Sequence, residues 1–225
     1  MGHTSQQSVP VRWVATGTLA FLVTLFSCGG EPRMPIPAAT HDLSPALHSS
    51  SSPLGSSICH CVPSAPASKD LRHAEKHVRL PNGNPQPLTV ATMLTWPQSP
   101  PPGRDTPRSR RELQLFQIRK AFLQLAWLVH SDCDIHMEIS DTPSKTAPRV
   151  IVETPVDHEY CPAREQVVSR LAAHGIRLSG ARQELKPPLR ITVVGLAFED
   201  PPHSNRGSSL VHSFWELHPA IVTVH

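Results

Sequence analysis

Proline sets the first limit on how this chain can fold. Of 25 prolines, fifteen fall within residues 31–112 and nine within residues 113–225. Proline fixes φ and removes a backbone donor, so a stretch this rich in it sustains neither a long helix nor a central strand. The 225 residues do not read as one globular body. They read as a long lead followed by a single domain of about 110 residues, a size that buries a modest core. Apolar residues are 39% and aromatics 5% of the chain, too few to give the lead a core of its own.

The charge is split in the same place. Residues 1–112 hold 10 Lys and Arg against 6 Asp and Glu, a net of +4, whereas residues 113–225 hold 11 against 12, a net of −1. A nucleic-acid binder needs a positive footprint for phosphates, and the domain shows none in bulk. Nucleic acid is therefore not an expected partner.

The N-terminus reads as an address. Residues 1–12 contain no acid and end in Arg12, and residues 13–27, WVATGTLAFLVTLFS, carry no charge. Such a run is short for a membrane span and suits the apolar region of a signal peptide. Cys28 follows Leu25, Phe26 and Ser27 and precedes Gly29 and Gly30. This junction resembles a bacterial lipoprotein signal, with an aliphatic residue three positions before the cysteine and a small one directly before it. The resemblance implies lipidation of Cys28, a membrane attached through that lipid, and, with Gly29 rather than an aspartate, the outer membrane. Ordinary signal-peptidase cleavage nearby and an uncleaved anchor are the alternatives. The organisation expected is a signal peptide over 1–28, a Pro/Ser-rich disordered tether over 29–111 and a β domain over 112–225.

Within the lead, residues 35–68 are dominated by Pro, Ser and Ala without apolar periodicity, the composition of a flexible segment. Residues 70–79, DLRHAEKHVR, suit a short amphipathic helix or a solvated charged turn. Residues 88–96, LTVATMLTW, form the one apolar patch, read as a stray strand. Cys59-His60-Cys61 matches no standard zinc spacing. In an exported protein it suits a disulfide, within the tether or to another chain, and its pairing stays open.

In the domain, residues 113–129 are long and apolar and fit both periods, with an alternation that slips near Lys120. Ile135, Met137 and Ile139 alternate with His136, Glu138 and Ser140, a half-buried strand. A first strand turning back into this one makes a hairpin, which favours a strand over 113–129. A third strand spans 148–155, a helix 162–175 with Pro162 in its first turn and Gly175 as its stop, a fourth strand 189–198 with a bulge at Gly195, and a fifth 214–224 interrupted by Pro219. Three strands, a helix and two strands is the order of a small OB-like five-stranded barrel, a mainly β fold with the helix between strands three and four. If 113–129 is a helix, a four-stranded α+β sandwich replaces it.

Several of these segments resemble a group of short, uncharacterised exported bacterial proteins. The shared pattern is Asp134-Ile135-His136, the strand end Glu153-Thr154-Pro155, Gly195-x-x-Phe198-x-Asp200, His203, and Glu216-Leu217-His218-Pro219. The resemblance implies export and a single β domain, and assigns no activity.

The same residues carry whatever chemistry the chain has. Asp134 and His136 lie two apart on one strand face, and Glu216 and His218 do likewise on the last strand. The two Asp/Glu-x-His pairs can meet as a carboxylate–imidazole cluster, with His203 and Glu153 positioned to join it. Imidazole with carboxylate suits Zn or Mn and water activation. The plainer reading is a wet strand face or a Glu–His network bracing the barrel. There is no Gly-x-Ser-x-Gly, no phosphate loop and no Cys-x-x-Cys. No cofactor is assured. The function expected is a binding or structural module of the cell envelope with an unassigned ligand. The alternatives are a nuclease-like metal-dependent hydrolase acting through Asp134, His136, Glu216 and His218, and an OB-type nucleic-acid binder. With Cys28 on lipid, Cys133 and Cys161 are the domain's two thiols, at strand ends that a meander places together, and a disulfide between them is expected.

Overall fold

In a computed structural model, which describes residues 58–98, 100, 102–200 and 207–225, six strands form one sheet. They are β1 (Gln86–Pro87), β2 (Leu115–Leu128), β3 (Ile135–Ser140), β4 (Arg149–Thr154), β5 (Gln183–Glu199) and β6 (Val211–Val224). Their order is β1-β2-β3-β4-β6-β5, and β5 also pairs with β2, so β2 to β6 close into a five-stranded barrel. The β4–β6 pair is parallel and the other pairs of the barrel are antiparallel. Helix α3 (Cys161–Ala173) connects β4 to β5; two shorter helices, α1 (His73–Lys76) and α2 (Val90–Leu94), precede the barrel. The chain order expected from the sequence, three barrel strands, a helix and two further strands in a mainly β fold, is the order observed.

The local devices follow the sequence. Residues 113–129 hold a strand rather than a helix, and their broken alternation is real: the β2–β5 register shifts between Ile118 and Ala121 and leaves Arg119 and Lys120 exposed. The β5–β6 register shifts between Gly195 and Ala197, opposite Pro219. A Cβ on Gly195 would lie 2.8 Å from the Pro219 carbonyl oxygen, so only glycine lets the two backbones approach there. Gly175 ends α3 at φ 73°, a left-handed stop that glycine adopts without strain. Inside the barrel Ile135, Met137, Ile139, Val150, Val152, Val193 and Leu217 make one cluster, to which α3 adds Val167 and Leu171 and α2 adds Val90 and Met93.

The lead departs from expectation. From Ile58 onward, the described part of the stretch read as a disordered tether packs on the barrel and extends the domain. Its cover combines apolar residues that join the barrel's cluster, Ile58, Leu88, Val90 and Met93, with buried polar bolts. Arg72, 2% exposed, pairs with Glu112 at 2.7 Å, donates to the Glu199 carbonyl and stacks over Phe198. Arg108 donates to the carbonyls of Glu112, Ala197 and His218. Residues 88–96 are not a strand: Val90–Leu94 is helical, because the Thr89 hydroxyl accepts from the Thr92 amide and the Asp141 carboxylate accepts from those of Val90 and Ala91.

The expected Cys133–Cys161 bridge is also corrected. Cys59 bonds Cys161 and Cys61 bonds Cys133, with Cα separations of 5.3 and 5.9 Å. The strand ends do lie near each other, but the Cys-x-Cys of the lead is laid across them. Arg164 of α3, fully buried, fixes this arrangement by donating to the carbonyls of Ile58, Thr154 and Cys133.

Candidate functional site

The barrel strands place a row of side chains on the face opposite the apolar cluster. Neighbouring strands pair Trp127 with His136, His136 with Glu153, and Phe198 with Glu216. His218, two residues beyond Glu216, shares their face. Every residue of β3 and β4 is buried, so the polar side of β3 is not the wet face its alternation suggests: Trp127 stacks on His136, Arg149 and Ser208 donate to Glu138, and Gln124 donates to Ser140.

The two Asp/Glu-x-His pairs converge, and Glu153 stands at their centre. His218 is fully buried. Its Nδ1 lies 3.0 Å from Glu153 Oε2 and 3.2 Å from Glu216 Oε1, and its Nε2 lies 3.1 Å from Asp134 Oδ2, off the hydrogen-bonding direction. Burial alone would push its imidazole toward neutrality; the carboxylates of Asp134, Glu153 and Glu216 outweigh that and raise its pKa well above the usual value. His218 is therefore an imidazolium at neutral pH, with both nitrogens facing acids. Burial likewise works against the Glu153 carboxylate, and its hydrogen bonds to His136 and His218 hold its pKa well below the usual range. Glu216 moves the other way, raised by burial and by the charges of Asp200 and Glu153.

His136 differs from His218. Its Nδ1 meets Glu153 Oε1 at 2.5 Å, its ring stacks on Trp127 at 3.6 Å, and its Nε2 is buried without a hydrogen-bond partner. An imidazole oriented in this way presents Nε2 as a base or a metal donor. His77, from the lead, repeats the pattern: Nδ1 contacts Asp157 Oδ2 at 2.6 Å and Nε2 is buried and unpartnered.

Between the barrel wall and the lead lies a cavity of about 610 Å³, the size of a small-molecule site. His136, Glu153, Glu216 and Trp127 form its barrel side; Asp70, His73, Lys76 and His77 belong to its lead side. Six carboxylates (Asp70, Asp132, Glu153, Asp157, Asp200 and Glu216) line it against three fixed cations (Lys69, Lys76 and Arg182). The imbalance is felt by the groups present. Burial opposes the Lys76 ammonium, yet Asp200, Glu216, Glu153 and Asp70 raise its pKa above the ordinary lysine value. Asp132 is pushed up to about 7, first by burial and then by the negative charges of Asp134 and Glu153.

Of the residues singled out in the sequence, Asp134, His136, Glu153, Glu216 and His218 come together, while His203 lies outside the described residues, as does Cys28. Asp134 and His218 sit behind the cavity wall rather than on it. The lead's contribution went unread: Asp70, Lys76, His77 and the wall they build. One signal for it was present, the spacing Asp70-x-x-His73-x-x-x-His77, which sets two imidazoles one helical turn apart. No family model, curated protein or solved structure matches the chain.

Proposed function

We propose that this chain is an exported, lipid-anchored binding module of the bacterial cell envelope, whose barrel and lead together hold a small cationic ligand. The observation that carries the reading is the cavity itself: a pocket of about 610 Å³ with twice as many carboxylates as fixed cations, Trp127 in its lining, and acids that already perturb their neighbours. Export is supported by two disulfides, which persist in oxidising compartments, and by the uncharged run ending at Cys28. Among the described residues no helix is long and apolar enough to cross a membrane.

The ligand reading is tested by calorimetric titration of the mature protein with agmatine, a guanidinium amine, and with citrate as the anionic control. Agmatine binds and citrate does not. Agmatine affinity rises as pH is raised from 6 to 8, because Asp132, which faces Asp134, Glu153 and Lys76, gives up its proton through about 7 and adds a negative charge to the wall. Asp132→Asn flattens that rise. Equal binding of citrate, or an affinity that falls with pH, overturns the reading.

Anchoring has its own test. Cys28→Ser moves the protein from the membrane fraction to the soluble fraction of the envelope. A variant that still sediments with membranes as wild type does removes the lipid from the proposal.

A further inference from the structure

We infer that Asp70, His73 and His77 form a transition-metal site at the lead side of the cavity, and that its metal is Zn²⁺. This deepens the reading of the cavity as a cation site by naming one cation and its ligands, and it uses residues separate from the buried cluster on the barrel wall.

The three residues each bring one ligand atom, and these atoms all lie within 4.8 Å of one another. They come from one short stretch of chain. His73 and His77 open and follow the single turn of α1, so their rings stand together at 4.0 Å between centroids. Asp70, one turn earlier, approaches His73 Nδ1 through Oδ2 at 3.1 Å, while its other oxygen holds Lys76 at 3.2 Å. Spacing alone would make this an ordinary charged turn. Two further observations point to a ligand.

The first is the state of His77. Its side chain is only 10% exposed, Asp157 occupies Nδ1, and Nε2 is buried with no hydrogen-bond partner. An imidazole nitrogen left without a partner in a buried site costs stability unless something fills it. A carboxylate on the far nitrogen is the arrangement that fixes the tautomer and orients a metal-binding histidine. The second is the setting. All three residues line the acidic cavity, whose excess of carboxylates favours a divalent cation over a neutral occupant.

The donor set is two imidazoles and one carboxylate. Borderline nitrogen donors select Zn²⁺, Cu²⁺ or Ni²⁺ over Mg²⁺ and Ca²⁺, and three protein ligands leave a fourth tetrahedral position free. All three ligands line the cavity, so an ion held by them would be reached from it. A ligand entering from the barrel side would meet the metal there.

The test uses the mature, disulfide-bonded protein. Equilibrium dialysis against Zn²⁺ finds one ion per chain, and substitution with Co²⁺ gives the visible bands of a tetrahedral site with nitrogen ligands. The His73 side chain is 37% exposed, and a circular-dichroism spectrum of His73→Ala that matches wild type checks that the fold is kept. His73→Ala weakens Zn²⁺ binding at least tenfold and bleaches the Co²⁺ bands, whereas His174→Ala, exposed at the end of α3 and outside the cavity lining, changes neither. Asp157→Asn keeps the ligands but loses the orienting carboxylate, and lowers affinity by about 10–100-fold. Zn²⁺ binding that is unchanged in His73→Ala, or that is lost only in His136→Ala, overturns the assignment. Agmatine titration separates the two readings: Zn²⁺ bound at His73 without agmatine binding sinks the organic-cation reading alone, and agmatine binding without Zn²⁺ sinks the metal site alone.

Discussion

His218→Gln destabilises the protein by about 3–5 kcal/mol at neutral pH, the cost of leaving buried charge without its partner. Glutamine keeps much of the shape and removes the cation. Asp134, Glu153 and Glu216 are then left facing one another at 1%, 8% and 2% exposure. The pH dependence identifies the cause. In the wild type the folded pKa of His218 is raised, so its stabilising contribution is complete below about 6.5 and is lost as pH rises through the folded value. The folded pKa of Glu153 is depressed, so its contribution is present above about 4.3 and is lost as pH falls through its folded value. The His218 and Glu153 contributions are therefore both complete between those limits, and the raised carboxyls of Asp132 and Glu216 superimpose a decline as pH rises. The variant lacks the His218 contribution and gains stability toward acid more steeply than the wild type, because the orphaned carboxylates take up protons there. Urea unfolding from pH 4 to 9 reads this directly. Curves for the two proteins that run parallel across the range would show that His218 is a packing residue and not a buried cation.

Removing both disulfides has an effect of similar size. The bridges span sequence separations of 102 and 72 residues, and loops of that length correspond to about 4–5 kcal/mol each when closed alone. The two contributions overlap, since either bridge shortens the loop left for the other. Cys61→Ser with Cys133→Ser, which keeps the Cys59–Cys161 bridge, lowers the melting temperature by about 8–16 °C and exposes residues near Pro63–Asp70 to proteolysis. It also weakens cation binding, because Pro63, Ala65 and Asp70 belong to the cavity wall. Peptide mapping without reductant identifies the pairs. A melting temperature within about 2 °C of wild type, or fragments joining Cys133 to Cys161, contradicts the arrangement.

The barrel was legible in the sequence because each of its signals is local. The alternation in 135–140, the prolines bounding β4, Pro162 and Gly175 at the ends of α3, and Gly195 facing Pro219 each act over a few residues, and together they fix the order of elements. The convergence of Asp134 and His136 with Glu216 and His218 was legible for the same reason: a spacing of two puts each pair on one face, and the strand order brings the faces together. The lead was not legible. Its proline and serine content excludes a core of its own, and the chain meets that limit by lending Ile58, Leu88, Val90 and Met93 to the barrel's cluster and by covering the polar surface beside it. Arg72, Arg108 and Arg164 reach carbonyls that lie far off in sequence, up to 127 residues away in the case of Arg72 and Glu199. No periodicity records such contacts. The cysteine pairing failed through the same gap. With the lead set aside as a tether, Cys133 and Cys161 had only each other. Once residues 58–61 are laid across the strand ends, each sulfur has a nearer partner. The wet-face reading of β3 failed because alternation shows which side chains leave the core and not what then covers them.

The bridges also bear on when the cavity exists. One wall comes from the beginning of the domain and the other from its strands, and the covalent ties between them, Cys59 to Cys161 and Cys61 to Cys133, are made by chemistry a reducing compartment does not permit. Ribosomal synthesis delivers Cys59 102 residues ahead of Cys161, and Cys61 72 residues ahead of Cys133. Until those partners arrive and are oxidised, only noncovalent contacts hold the wall in place. The reduced and the oxidised chain thus share a sequence but differ in whether the wall is locked, which ties the completed cavity to an oxidising environment.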